Sequence, residues 1–207
     1  MMKVNESSTN VTNGTKTYTI RLATSEMELR LVADVINVAF AKAYEHVRSN
    51  DAPTRTTYTK VKAQVESLGC KVWVIHEVSK KDMNEEQEQV DILGTIIVPS
   101  PHLDFDTASR EDTESFGSLS VLPSYQGLGL GKMLVKYIEH RSKTIDKKIK
   151  IELCYGHGTL LNNKPQLKEF YTSMGYYEGE RKGRKEWFNI LPDYRNGLYF
   201  QQMIKEL

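Results

Sequence analysis

Cysteine is scarce: the 207 residues hold only Cys70 and Cys154, 84 positions apart, with no CxxC pair and no histidine at metal-ligand spacing. That argues against a disulfide framework and against a metal site, so reduced thiols in a cytoplasmic or nuclear protein are expected. An excess of one charge is lacking too, since 28 Lys and Arg face 27 Asp and Glu for a net of +1. Nonspecific nucleic-acid binding wants a clustered surplus of cations, and no nucleic-acid partner is expected. Apolar runs are short, as at Ile96, Ile97 and Val98, whereas a membrane helix takes about 20 apolar residues. No membrane partner is expected either. The N-terminus has no apolar stretch of the secretory kind, so residues 1–17, rich in Asn, Ser and Thr, read as a disordered lead-in. The glycosylation-type triplets at Asn5, Asn10 and Asn13 read as by-products of that bias.

What is present is ordinary globular composition, 39% apolar and 27% charged, enough for one domain over residues 18–207. Alternation predicts a strand near residues 18–23. Ser25 with Glu28 makes a capping box, and Leu29, Val32, Ile36 and Phe40 then recur at helical spacing. A shorter helix is expected over residues 56–68, closed by Gly69. Strands follow at 71–78, 91–98 and 116–122, the last stopped by Pro123. Then come a helix beginning near Leu130, a strand at 148–155, a helix at 167–174 ended by Gly175, and two closing strands at 177–182 and 198–204. The order implies an α/β or α+β unit around a mixed sheet.

Spacing carries chemistry at one place, Gln126-Gly127-Leu128-Gly129-Leu130-Gly131-Lys132. Alternating glycines between a strand and a helix let the backbone bend tightly and present a row of N–H groups at the helix N-terminus, a cradle for phosphate. A dinucleotide fingerprint fails, because glycine would be needed where Lys132 or Leu134 stands. A P-loop fails as well, at Gln126 and Met133.

The remaining pattern, Gln-x-x-Gly-x-Gly after Val121-Leu122-Pro123-Ser124-Tyr125, followed by Phe170-Tyr171-Thr172-Ser173-Met174-Gly175-Tyr176, resembles the GNAT superfamily of N-acetyltransferases. The element order matches that family's over nearly the whole chain. The resemblance implies a single GNAT-like domain with a central, mostly antiparallel mixed sheet flanked by helices and a splayed cofactor-binding cleft. It implies acetyl-CoA as co-substrate with no metal, and a small-molecule or peptide amine as partner, in a monomer or homodimer. Gln126 and the backbone of Gly127, Leu128, Gly129, Leu130, Gly131 and Lys132 would hold the pyrophosphate. Leu119 and Val121 would flank the pantetheine arm on a bulged strand, with Asn162 or Asn163 bonding its amides.

Tyr171 is then the general acid for the departing thiolate, with a core tyrosine as the bland alternative. Many relatives place a glutamate base on the strand before the loop, but that stretch here is Ser115-Phe-Gly-Ser-Leu-Ser-Val121, leaving Glu114 at its entrance and Glu152 and His157 as further candidates. The missing glutamate keeps open a CoA-binding module without catalysis. Two charged stretches add expectations: residues 104–114 carry five acids and one Arg, read as a rim for a cationic amine, and 141–150 carry five bases and one acid, read as facing the CoA phosphates.

Overall fold

Ser25 and Glu28 start the first helix as their spacing predicts. In the computed structural model, which describes residues 8–14, 16–44, 54–78, 91–99, 111–157, 165–182 and 199–207, the Glu28 carboxylate accepts from the N–H of Thr24 at 2.8 Å and of Ser25 at 2.9 Å. The Ser25 hydroxyl in turn accepts from Glu28 N–H at 3.2 Å. Burial works against the Glu28 charge, but these donors and the ion-paired Arg21 outweigh it and hold the carboxyl below its ordinary range. A depressed folded-state value means stability that is present above the ordinary carboxylate range and lost as pH falls through the lowered one. Glu28→Gln should therefore cost about 1 kcal/mol at pH 7, with the gap closing towards pH 3. Urea titrations at the two pH values check this.

The elements are β1 (Ser8–Asn13), β2 (Lys16–Leu22), α1 (Glu26–Tyr44), α2 (Tyr58–Glu66), β3 (Lys71–Glu77), β4 (Gly94–Val98), β5 (Thr113–Val121), α3 (Leu130–Thr144), β6 (Lys150–His157), α4 (Pro165–Thr172), β7 (Tyr177–Lys182) and β8 (Tyr199–Glu206). A 3-10 turn, Pro123–Tyr125, follows β5. The strands form one sheet in the order β1-β2-β3-β4-β5-β6-β8-β7, antiparallel throughout except for β5 and β6. This is the mixed, mostly antiparallel sheet expected. The disordered lead-in is corrected from Ser8 onwards: Ser8 to Asn13 pair in register with Arg21 to Lys16, and Thr9 and Val11 are buried.

Side chains alternate across the sheet, so β3 sends Val72 and Val74 to α1 and α2, and Trp73 and Ile75 to α3 and α4. Trp73 is fully buried with its ring edge-on to Tyr137, centroids 4.8 Å apart. The two helical layers therefore lie on opposite faces. β4 and β5 approach tightly where a Cβ on Gly94 would lie 2.9 Å from the Ser120 carbonyl oxygen.

Candidate active site

The single parallel pair of the sheet is also its weakest seam. β5 and β6 pair only from Thr113 with Lys150 to Phe116 with Leu153, and beyond these residues they part. On its other side β5 bulges: Thr95 faces Ser120 and Ile97 faces Gly117, so Ser118 and Leu119 together stand opposite Ile96. Ser118 takes φ +49°, a left-handed conformation uncommon for a residue with a side chain. The bulge redirects the backbone of residues 117–121 along the gap. A cavity of about 230 Å³ fills the gap, walled by residues 116–121 of β5 and 153–156 of β6.

The cavity runs from one layer to the other. Ala39, Phe40 and Arg55 line it on the α1 and α2 side, and Leu167 and Tyr171 of α4 line it on the other. Leu119, Val121 and Gln126, all expected at the site, are among its walls. Gln126 is itself tied down, its amide donating to the Val121 carbonyl at 3.0 Å.

At the head of α3 the glycines do what their spacing suggests. Gly127 has φ +83° and Gly129, the residue capping α3, has φ +77°. No L-residue holds those angles comfortably. The first helical bond runs from Met133 N–H to the Gly129 carbonyl, 3.0 Å, and the Leu128 carbonyl is taken by the Asn13 side-chain amide at 2.7 Å. Among the described residues, no protein acceptor takes the N–H groups of residues 128–132. These are the donors an anionic phosphate would engage, at the positive end of the helix dipole. The side chains play other parts, since Leu130 is buried in the core and Lys132 is exposed. Backbone donors at two left-handed glycines fit a pyrophosphate, and residues 117–121 of β5, unpaired with β6, run along the gap that adjoins them.

Tyr171 is buried, its ring 5.7 Å from Tyr176, 5.0 Å from Phe170 and 6.3 Å from Phe116 between centroids, and stacked with Tyr155 at 6.4 Å. Burial, and then the neighbouring Tyr155, push its phenol pKa well upwards. The group holds its proton at neutral pH. Gly175, at φ +90°, ends the helix so that Tyr176 N–H returns to the Tyr171 carbonyl at 3.1 Å, which fixes the backbone carrying the phenol.

Glu114 does not join these residues. The strand register places it opposite Ile151, inside the paired part of β5, and it is absent from the cavity lining. Burial first, then the Asp146 charge, raise its carboxyl pKa, while Ser115 N–H, Lys71 and Lys148 oppose the rise. Glu152 is likewise elsewhere, buried and accepting from Gln202 at 2.6 Å and Ser115 at 3.3 Å. Asn162 and Asn163 and the side chain of His157 lie outside the described residues.

The expectation for the basic stretch needs correction. The basic stretch 141–150 begins in the last turn of α3, whereas the cradle is at its first, and 15 residues of helix are about 22 Å long. Lysines there point Lys148 Nζ at the Glu111 carbonyl, 2.8 Å, and Lys71 pairs with Asp146 at 3.7 Å. Of the acidic stretch, Glu111, Asp112 and Glu114 sit at this same closed end of β5, and residues 100–110 lie outside the described set. Adjacency in sequence to a functional helix or strand did not mean adjacency to its functional end. Arg55, Phe40 and Phe200 also line the cavity; the spacing of Phe40 marked it only as a helix-face residue, and nothing in the sequence marked any of the three as a site residue.

Family comparison agrees with the geometry: the acetyltransferase (GNAT) domain family matches residues 69–178, more than half of the chain, including the bulged strand, the glycine loop and Tyr171. The chain belongs to the GNAT acetyltransferase family. GNAT enzymes use acetyl-CoA as co-substrate. Among solved structures, the spermidine N-acetyltransferase of Vibrio cholerae, in complex with CoA and spermine, aligns at TM-score 0.61 and 14% identity over 91% of this chain and 95% of that one. YncA of Salmonella typhimurium, with its cofactor acetyl-CoA, aligns at 0.58 and 18% over 92% and 94%. An acetyltransferase of Streptococcus agalactiae gives 0.58 and 15% over 92% and 98%. These likenesses show the GNAT fold. No curated protein matches the sequence. Among the described residues there is no His, Cys, Asp or Glu cluster fit for a metal, and no helix long and apolar enough to cross a membrane.

Proposed function

We propose that the chain transfers acetyl from acetyl-CoA to a primary amine directly, in a ternary complex. The observation that carries this reading is that the bulged edge of β5, the buried Tyr171 and Gln126, at the entry to the left-handed glycine cradle, line one cavity walled from both faces of the sheet. Bound acetyl-CoA would supply the thioester. The N–H groups of residues 128–132 would take its pyrophosphate, and main-chain groups of residues 117–121 would line its pantetheine arm. A bulge N–H directed at the thioester oxygen would stabilise the tetrahedral intermediate by ~3 to 4 kcal/mol. The cradle belongs to the α3 layer, so the amine enters from the α1 and α2 side. Its nitrogen adds to the thioester carbon to form the C–N bond, the tetrahedral intermediate collapses by breaking the C–S bond as Tyr171 gives its proton to the departing sulfur, and the proton lost by the nitrogen passes to water, from which the Tyr171 phenolate is reprotonated. Among the described lining residues there is no carboxylate to receive the nitrogen's proton.

Mass-spectrometric detection of acetylated products over a broad amine panel, with CoA release followed in parallel, tests the reading. Acetylated amine with stoichiometric CoA is the expected result. Stabilisation by acetyl-CoA without product from any amine would instead make the protein a CoA-binding module.

A further inference from the structure

Side chains alternate along β6, so Lys150, Glu152 and Cys154 leave the sheet on the face opposite Ile151, Leu153 and Tyr155, which join the core under α3 and α4. A second cavity, of about 290 Å³, opens on that face, walled by Lys150 and Glu152 of β6, Gln202 and Ile204 of β8 and Tyr177 and Gly179 of β7. It adjoins the first, since Cys154 lines the one and Gln202, its partner across the β6–β8 ladder, lines the other. Glu152 is only 6% exposed, and its orientation is built. β7 bulges between Glu178 and Arg181, and a Cβ on Gly179 would lie 2.5 Å from the Gln202 side-chain oxygen, so glycine makes room for that amide. The oxygen accepts from Glu180 N–H at 3.1 Å, which turns the amide nitrogen to donate to one carboxylate oxygen of Glu152 at 2.6 Å. The Ser115 hydroxyl donates to the other at 3.3 Å. Both side-chain donors are neutral. Among the described residues no cation pairs with Glu152, and Lys150, the basic member of the walls, is paired with Glu206 at 3.5 Å. Glu180 adds a second carboxylate at the exposed rim.

A buried carboxylate met only by neutral donors is stabilised by a cation that enters beside it. Building on the acetyl-transfer reading, we infer that this second cavity binds an alkylammonium group and is the far subsite of the acceptor. The ammonium bonds to Glu152, while Ile204 and the Tyr177 ring flank its methylene stem. The strands set the reach. Ser115 lies opposite Glu152, and the bulge at Ser118 and Leu119 begins three residues further along β5, roughly 10 Å at the rise of a strand. An amine presented to the thioester at the bulge meets Glu152 with a second positive group held that far from the reacting nitrogen. The acceptor class is thus aliphatic amines bearing a second ammonium group, and a monoamine leaves Glu152 without its cation.

The test compares α,ω-diamines from diaminopropane to diaminododecane, each with the monoamine of equal chain length, in wild type, Glu152→Gln and Glu152→Asp. In wild type the diamine should overtake its monoamine in kcat/KM by at least about tenfold, the scale of one charge-assisted pair, once the chain spans about 10 Å. Diaminopropane, too short to reach, should gain no such advantage. Glu152→Gln keeps the shape and an acceptor for Gln202, so it should abolish the advantage while leaving kcat/KM for the monoamines within about twofold, and Glu152→Asp should retain part of it. Melting curves report the fold of each variant, and the length series in wild type decides the matter even if a variant does not fold. A second arm needs no turnover: calorimetric titration of diaminooctane into CoA-loaded protein should show affinity weakened about tenfold in Glu152→Gln. Absence of acetylated product from every amine sinks the catalytic reading, and the calorimetric arm still decides whether the cavity takes an ammonium group. Equal kcat/KM for diamines and monoamines at every length, a diamine advantage that survives Glu152→Gln, or a fall in kcat in that variant shared by the monoamines, as for a general base, overturns the inference.

Discussion

Replacing Tyr171 by phenylalanine should lower kcat at saturating acetyl-CoA by about 100-fold, the lower end of what a positioned general acid contributes. The fold should hardly notice. The ring and its four aromatic neighbours stay in place, and no hydrogen bond to the hydroxyl occurs among the described residues, so none is lost. A structural role alone would move the melting temperature and spare kcat, whereas an acid role does the reverse. Because burial keeps the phenol pKa high, the hydroxyl is protonated wherever the amine is able to attack, and the deficit should be constant from pH 7 to pH 9. Steady-state rates of wild type and Tyr171→Phe across that interval, with melting curves, distinguish the cases. An undiminished kcat would remove Tyr171 from the chemistry.

The second large effect is expected at Gly129. A Cβ there would find open space, its nearest neighbour being the Asn13 amide nitrogen at 3.8 Å, so Gly129→Val is not a steric insertion. Its cost comes from φ +77°, which a β-branched residue resists by about 2 kcal/mol or more. The chain relieves that strain by leaving the left-handed region, and the N–H groups of residues 129–131 then rotate out of the cradle. The KM for acetyl-CoA should rise at least about tenfold, by loss of one or more charge-assisted bonds to phosphate. Gly131→Ala is the control: its φ is not positive, and its Cβ would make ordinary contacts with Phe170 at 3.7 Å and Val121 at 3.8 Å. That variant should keep KM within about twofold, since it leaves the backbone donors where they are. Equal effects from both substitutions would mean that side-chain volume, not backbone conformation, governs the loop.

Legibility in the sequence followed the range of the interactions. The capping box of Ser25 and Glu28, the helix stop at Gly175 and the alternating glycines act within a few residues, and each forms as its spacing predicts. Pairing order and the splay depend on contacts far apart in sequence, yet the family's glycine and tyrosine motifs brought them along. β1 escaped notice because only Thr9 and Val11 turn inwards in a stretch otherwise made of exposed polar residues, too few to mark alternation. Glu114 looked like a base for want of register: two residues further along β5 the same side chain would have stood at the opening of the gap. The basic stretch was misplaced because a helix has two ends, and composition says nothing about which one faces the ligand. Arg55 belongs to no pattern and Phe40 only to that of its helix, and the two meet only when α1 and the approach to α2 pack.

The Asn13 amide, at the tip of the first hairpin, holds the Leu128 carbonyl across 115 positions of sequence. With that oxygen engaged, the loop turns hydrogens rather than lone pairs towards an incoming anion. The first strand is thus a strut of the glycine loop, and if that loop holds the acyl donor as proposed, a shortened version of this protein that discards it as a floppy tail should lose grip on the donor before it loses its fold.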